Sequence, residues 1–168
     1  VMIVLGLTMG MQPIVGYNFG AQKIDRVKHT LRLGIISGVV ITSSGFVICE
    51  FFPHAVSALF TDSDELIDLA VGGIRLTVLM FPFVGAQIVI GNFFQSIGKA
   101  KVSIFLSLTR QLLYLLPCLL LFPNWWGLEG IWISMPVSDA LAFITAVISL
   151  MIYIKKVPLM KQHPVVAE

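Results

Sequence analysis

Two opposite charges stand inside long apolar stretches of this sequence. Arg110 lies within IFLSLTRQLLYLLP and Asp139 within IWISMPVSDALAF, and uncharged amides interrupt other apolar stretches. A charge in such surroundings is costly to bury unless it is paired and hydrogen-bonded. The kinds of chemistry open to this set are an ion pair, a proton or ion pathway, and a polar binding site.

Groupings typical of metal sites and of enzymes are not found in the sequence. His29, His54 and His163 are far apart, and Cys49 and Cys118 both sit in apolar runs, where cysteine is usually a small buried hydrophobe. No Cys or His spacing indicates a metal site. There is also no His-Glu-x-x-His motif and no pair of aspartates within an apolar stretch. We therefore predict no metal, no cofactor and no enzymatic activity.

The composition places these residues in a membrane. The 168 residues are 57% hydrophobic and 12% charged, whereas about a quarter of a soluble domain is charged. A helix needs about 20 mostly apolar residues to cross a bilayer. We predict an all-α membrane protein, a bundle of about five transmembrane helices within residues 1–157, followed by a cytoplasmic tail, 158–168. The predicted spans are 1–20, 32–52, 70–95, 102–122 and 130–154.

The loops between these spans alternate in charge. Nine of the eleven basic residues fall in the first and third loops and in the tail, and Arg75 and Arg110 are the other two. The second loop is acidic, and the fourth, PNWWGLE, has no Lys or Arg. Lys and Arg concentrate in cytoplasmic loops. The chain is therefore expected to start outside and to end in the cytoplasm. We expect it to lie in a bacterial inner (plasma) membrane, with the bilayer as a partner and no nucleic acid.

Prolines and glycines within the spans predict bent, closely packed helices. A proline removes one helical hydrogen bond, and membrane helices tolerate this where neighbours satisfy the freed group. Glycines four residues apart let helices approach closely. The positions to which we assign hinge or packing roles are Pro13, Pro82, Pro117, Pro136, Gly16 and Gly20, and Gly34 and Gly38 have the same spacing.

The two deep charges are predicted to meet. Arg110 and Asp139 each lie about nine residues into consecutive antiparallel spans, which is ~14 Å at 1.5 Å per residue. Both would then lie near the middle of a ~30 Å core. The pair could be a structural lock between two spans, or it could line a water-accessible cavity. Cavity-lining or helix-bridging roles are both open for the amides within the spans, and Gln12 and Gln87 are the best placed of them. These amides are Gln12, Gln87, Asn92, Gln95 and Gln111.

Four stretches, taken in order, resemble transporters of the MATE (multidrug and toxic compound extrusion) family. They are PIVGYNFGAQKIDRVKHTLR, ALFTDSDELIDLA, FFQSIGKAKVSIFLSLTRQLLYLLP and WGLEGIWISMPVSDALAF. In the family, a Gly-x-x-x-Gly-Ala turn and a basic loop close a helix at the cytoplasmic face. The resemblance implies a twelve-helix fold of two lobes, in which these spans correspond to spans eight to twelve of the C-terminal lobe. The chain starts inside an apolar stretch, and we expect it to be a piece of a longer protein whose N-terminal lobe is its partner.

The resemblance also implies an activity, namely export of cationic or amphipathic organic compounds in exchange for H⁺ or Na⁺ by alternating access. Some members bind the ion with an acidic residue in span ten, but residues 70–95 contain no Asp or Glu. The coupling site is therefore expected mostly outside this chain, and Asp139 is the only deep carboxylate within it. A related flippase of lipid-linked oligosaccharides is the alternative. A structural or sensor module is less favoured, because four spans contain proline.

Overall fold

Helices make up nearly all of the described part of the chain. The computed structural model describes residues 1–160, and the side chains of residues 1–156. The helices are α1 (Met2–Gly20), α2 (Ile24–Phe51), α3 (Pro53–Ala58), α4 (Asp64–Val78), α5 (Phe81–Ser96), α6 (Ala100–Leu108), a π-helix (Thr109–Leu115, hereafter the π segment), α7 (Leu116–Leu121) and α8 (Pro123–Met160). The all-α prediction is confirmed.

Five stretches of helix are suited to crossing a bilayer. Four are long and apolar enough as they stand, namely 2–20, 24–51, 100–121 and 123–156, and the bent pair α4 and α5 supplies the fifth. The helices extend beyond the predicted edges, because α2 already begins in the basic loop at Ile24 and α8 continues to Met160. Residues 161–168, most of the predicted tail, lie outside the described residues.

The third predicted span, 70–95, is two helices rather than one. α4 ends at Val78 and α5 starts at Phe81, with a bend of 48° between them. Pro82 lies at the start of α5. Its ring would clash with the carbonyl of Val78, four residues earlier, and it has no N–H to donate there. The predicted hinge role of Pro82 agrees with this break. The membrane edge of the span at residue 70 stays a prediction, and α4 itself begins earlier, at Asp64.

The other three prolines differ in their surroundings. Pro117 is the second residue after the π segment and lies in the first turn of α7. α1 continues through Pro13, and α8 continues through Pro136. The departure from helical geometry within α8 falls instead at Gly127, with φ of 54° and ψ of −131°. A hinge role at Pro13 or Pro136 stays a prediction.

Close packing of α2 against α5 depends on glycine. A Cβ placed on Gly85 would run into the Gly38 carbonyl oxygen, and one on Gly38 would lie 3.0 Å from the Gly85 oxygen. A Cβ on Gly16 of α1 would likewise lie 3.3 Å from the Ser96 carbonyl oxygen of α5. The predicted packing role of Gly16 agrees with this contact. Gly20 is the exposed last residue of α1, and a Cβ there meets nothing within 4 Å among the described residues, so its packing role stays a prediction.

Two helix ends share one turn geometry. After α1, Gln22 N–H donates to the Phe19 carbonyl and Lys23 N–H to the Asn18 carbonyl, with Gln22 at φ 57°. After α5, Gly98 and Lys99 repeat this pattern, and Gly98 has φ 76°. This is the Schellman arrangement, in which a left-handed residue closes the helix and satisfies its last carbonyls. We call the end of the bundle that holds these two turns the basic end, and the opposite end the acidic end.

Apolar side chains cover the outside of the bundle, and many polar ones are inside. Large hydrophobic residues are exposed along the helices, among them Ile36, Val40, Leu112, Leu113, Ile144 and Ile148. Buried polar residues include Thr8, Asn18, Thr42, Gln87, Thr109, Ser134, Ser138 and Asp139. A soluble protein rarely exposes so extensive an apolar surface, whereas lipid tails are a suitable solvent for it.

We predict that Gly85→Ala lowers the free energy of unfolding by about 2 kcal/mol, because overpacking forces the two helix backbones apart. Thermal unfolding of the purified protein in detergent would measure the loss. Gly45→Ala in α2 is the matched control, since a Cβ there meets nothing within 4 Å. Equal thermal-unfolding midpoints for Gly85→Ala and Gly45→Ala would contradict the claim that the packing of α2 against α5 depends on glycine.

Candidate functional site

The predicted pairing of the two deep charges is confirmed. Arg110 Nε donates a hydrogen bond to Asp139 Oδ1 at 2.9 Å. The Asp139 side chain is 9% exposed and that of Arg110 is 35% exposed. The carboxylate therefore lies inside the bundle, and the guanidinium lies between it and the surface. Each charge offsets part of the cost of burying the other, and the hydrogen bond strengthens the pair.

Arg110 belongs to the π segment, which the sequence reading missed. Residues Thr109–Leu115 form this segment, and Leu116 N–H donates to the Gln111 carbonyl five residues earlier. Such wide turns are rare and are frequent at functional sites. Pro117 provides a physical reason, because its ring would crowd the Leu113 carbonyl in a regular α-helix. A wider turn ahead of the proline relieves that contact.

A second side-chain contact joins the π segment to α8. The Tyr114 and Thr145 hydroxyl oxygens are 2.8 Å apart, and the Thr145 hydroxyl also lies 2.9 Å from the Leu141 carbonyl. Since the latter must be an acceptor, the Thr145 hydroxyl donates to it and receives the Tyr114 hydrogen bond. Together with the ion pair, this contact connects the segment to α8 at two points one helical turn apart on the segment.

A polar cleft opens beside the ion pair. It has a volume of about 280 Å³ and lies between α5 and the stretch formed by α6 and the π segment, with Leu5 of α1 at its edge. Its polar lining is Gln87, Asn92, Gln95, Ser103, Ser107, Arg110 and Gln111. Gln87 is itself 8% exposed, and its Oε1 has no hydrogen-bond partner among the described residues. The cleft thus holds a cation and several amide and hydroxyl groups.

The cleft brings together three of the five predicted site residues directly, namely Gln87, Arg110 and Gln111. Gln12 reaches it only through a neighbour, donating from Nε2 to Asn92 Oδ1 at 3.3 Å. Asp139 lies behind Arg110 and does not line the cleft.

Two cleft residues were missed in the sequence reading. Ser103 and Ser107 lie four residues apart, and Arg110 and Gln111 follow after three and four more. This spacing keeps one face of a helix, so the polar stripe could have been found from the sequence by periodicity.

Another ion pair lies outside the cleft, between α2 and α4. The Arg75 Nε and Glu50 Oε1 atoms are 3.9 Å apart, and the side chains are 54% and 35% exposed. Between residues 1 and 160, no three His, Cys, Asp or Glu residues lie close enough to hold a metal ion.

These features define a polytopic α-helical membrane protein. Within the part described, it has a polar cleft beside its one buried ion pair. A family model described as MatE matches residues 1–120. The chain belongs to the MatE family.

Individual relatives agree with this assignment. The chain is similar to the multidrug export protein MepA of Staphylococcus haemolyticus, with 24% identity over 144 residues, 85% of this chain and 31% of MepA. Its fold matches the MATE multidrug transporter DinF-BH with a TM-score of 0.83 and 37% identity, covering 88% of this chain and 33% of that one. It matches VcmN of Vibrio cholerae at 0.84 and 21%, covering 91% and 35%. The chain spans about a third of the length of these relatives.

Breaking the buried pair should cost more stability than removing it. We predict that Arg110→Gln and Asp139→Asn each lower the free energy of unfolding by about 2–3 kcal/mol, since either leaves a charge without its partner. The double variant should lose at least 1 kcal/mol less than the sum of the two, because residues in contact do not act additively.

Thermal unfolding of all three variants measures the coupling. The control is the same set of variants at the exposed pair, namely Arg75→Gln, Glu50→Gln and the two combined. A coupling energy of at most about 1 kcal/mol is expected for that pair. Additive losses at Arg110 and Asp139 would show that the pair contributes no coupling energy.

Proposed function

We propose that the chain forms most of the C-terminal lobe of a secondary antiporter that exports amphipathic or cationic organic compounds in exchange for H⁺ or Na⁺. The observation that carries the proposal is the polar cleft beside the Arg110–Asp139 pair, lined by Gln87, Arg110 and Gln111. The resemblance to a multidrug export protein, MepA, and to a multidrug transporter, DinF-BH, supports this activity. The partner is the other lobe of the same protein.

The cleft suits a solute path for physical reasons. Its walls combine apolar side chains, such as Leu5, Ile88 and Leu106, with amides and hydroxyls. Ligand sites typically pair apolar walls with a few polar groups that fix orientation. Export needs alternating access, and a bundle with a 48° break in one span and a π segment in another has places where helices can change shape.

The coupling ion is proposed to bind mainly outside these residues. Asp139 is the buried carboxylate of the described part, and Arg110 already occupies one of its oxygens. A carboxylate oxygen that accepts a hydrogen bond from a guanidinium is less available as a ligand for a second cation. Asp139 is therefore proposed to fix Arg110 rather than to carry the ion.

A flippase of lipid-linked oligosaccharides is less well supported. Binding an anionic pyrophosphate would favour several basic groups in the cleft. Of the eleven residues that line it in the described structure, Arg110 alone is basic, and Asp139 offsets its charge.

The orientation proposed for the bundle places its basic end in the cytoplasm, because Lys and Arg concentrate on that side of membrane proteins. With Cys49 and Cys118 replaced by alanine, Asp25→Cys reports the basic end and Ser63→Cys the acidic end. We predict that a membrane-impermeant maleimide labels Ser63→Cys in intact cells and Asp25→Cys only after permeabilisation. The reverse labelling pattern would show the opposite orientation and contradict the proposal.

Export itself is tested with the intact gene product in bacteria that lack their own efflux pumps. We predict that the protein reduces accumulation of a fluorescent organic cation. Abolishing the H⁺ or the Na⁺ gradient should return the accumulation to the level of cells without the protein. Gln87→Leu and Gln111→Leu should each lower efflux by about tenfold, since losing one good hydrogen bond costs about 1.4 kcal/mol.

Ser44→Leu is the matched control for these variants. Ser44 is exposed on α2 and donates its hydroxyl hydrogen bond to the Ile41 carbonyl of its own helix. The Ser44→Leu variant should export at the rate of the unmodified protein when the two are expressed at equal levels. Unchanged dye accumulation with the unmodified protein, against an empty vector, would refute the transporter proposal.

A further inference from the structure

The ion pair in the cleft is asymmetric. Arg110 uses only its Nε on Asp139, and the two terminal Nη groups donate to no acceptor among the described residues. The carboxylate is turned inward, at 9% exposed, while the guanidinium side chain is 35% exposed and lines the cleft. The positive end of the pair therefore faces the space that a solute would occupy.

No other charge opposes that positive end within the cleft. The eleven lining residues of the described chain include no Asp or Glu. Ser103, Ser107 and Gln111 add hydroxyl and amide donors on the same wall. The two Nη amino groups of a guanidinium match the two oxygens of a carboxylate, and hydrogen bonds between charged groups are among the strongest in proteins.

Amide groups lie in the same cleft. Gln87 and Gln95 line it, and an amide side chain can accept a hydrogen bond from a solute N–H group. A solute that carries both a carboxylate and an N–H group would match Arg110 and these amides. The apolar residues Leu5, Ile88 and Leu106 would contact the rest of it.

We propose that the cleft is an oxyanion subsite, in which the Nη groups of Arg110 bind the carboxylate of a zwitterionic amphipathic solute. The proposal deepens the transport function and rests on it for its physiological role. It assigns Arg110 as a binding residue, and Asp139 as the positioning residue that directs the guanidinium toward the cleft. It also distinguishes zwitterions from simple cations among the solutes of this lobe.

A lipid headgroup is the other source of an oxyanion. Arg110 lies ten residues into the helix that starts at Ala100, which is ~15 Å at 1.5 Å per residue. Phosphates of the bilayer lie at the edges of its ~30 Å core. Depth therefore favours a solute over a lipid.

The test compares two dyes that differ in one group, a rhodamine with a free aryl carboxylate and its methyl ester. Binding is measured by fluorescence anisotropy on the intact gene product in phosphatidylcholine nanodiscs. The unmodified protein should bind the acid about tenfold more tightly than the ester, as a charge-assisted hydrogen bond would give. Equal affinities for the two dyes would overturn the proposal.

Paired substitutions guard against a loss of folding. The neutral double variant Arg110→Gln with Asp139→Asn should bind both dyes equally. The swap Arg110→Asp with Asp139→Arg retains an ion pair but turns the carboxylate to the cleft, and it should prefer the ester. The control double variant, Arg75→Gln with Glu50→Gln, alters the ion pair outside the cleft and should keep the preference for the acid. A preference for the acid that survives the neutral double variant would refute the role of Arg110.

Two further experiments complete the test. One separates a solute from a lipid headgroup as the source of the oxyanion, and the other separates binding from transport. Nanodiscs that contain phosphatidylglycerol should leave the preference unchanged, and loss of the preference there would assign the subsite to a lipid headgroup and overturn the solute proposal. Efflux of both dyes from cells is measured in parallel. Preferential binding without efflux of either dye would support the subsite and count against the transport function alone.

Discussion

The absence of water from the hydrocarbon region is the constraint on which the rest of this structure depends. Every backbone polar group there must be satisfied within the protein, which leaves helices as the economical solution for a chain of this kind. The same absence removes the hydrophobic drive between helices, so α2 and α5 associate through direct contact at Gly38 and Gly85. It also makes a lone Arg110 or Asp139 costly, and the two meet.

Features governed by that constraint could be predicted from the sequence. The five spans follow from apolar length, and the pairing of Arg110 with Asp139 follows from equal depth in adjacent antiparallel spans. Both predictions used quantities that a sequence contains, namely residue counts and a fixed helical rise. The membership of the MatE family agrees with the four motifs that resembled it.

Features that depend on detailed packing could not be predicted in this way. The break between α4 and α5 falls beside Pro82, but the sequence does not say that Pro82 ends a helix while Pro13 and Pro136 are accommodated within one. The contact at Gly85 requires knowing which helix faces it. Gly20 has the right spacing for packing, yet it lies at a helix end where a Cβ would meet none of the described residues within 4 Å. Neighbouring helices decide each case.

The π segment changes how positions along this span should be compared between relatives. A wide turn contains an extra residue, so side chains beyond it are rotated by about 100° relative to an uninterrupted α-helix. A homologous helix without that turn would present, at the same alignment column, a side chain on a different face. Equivalence across Thr109–Leu115 is therefore a matter of direction around the helix axis, and a residue one column away can be the true counterpart of Arg110.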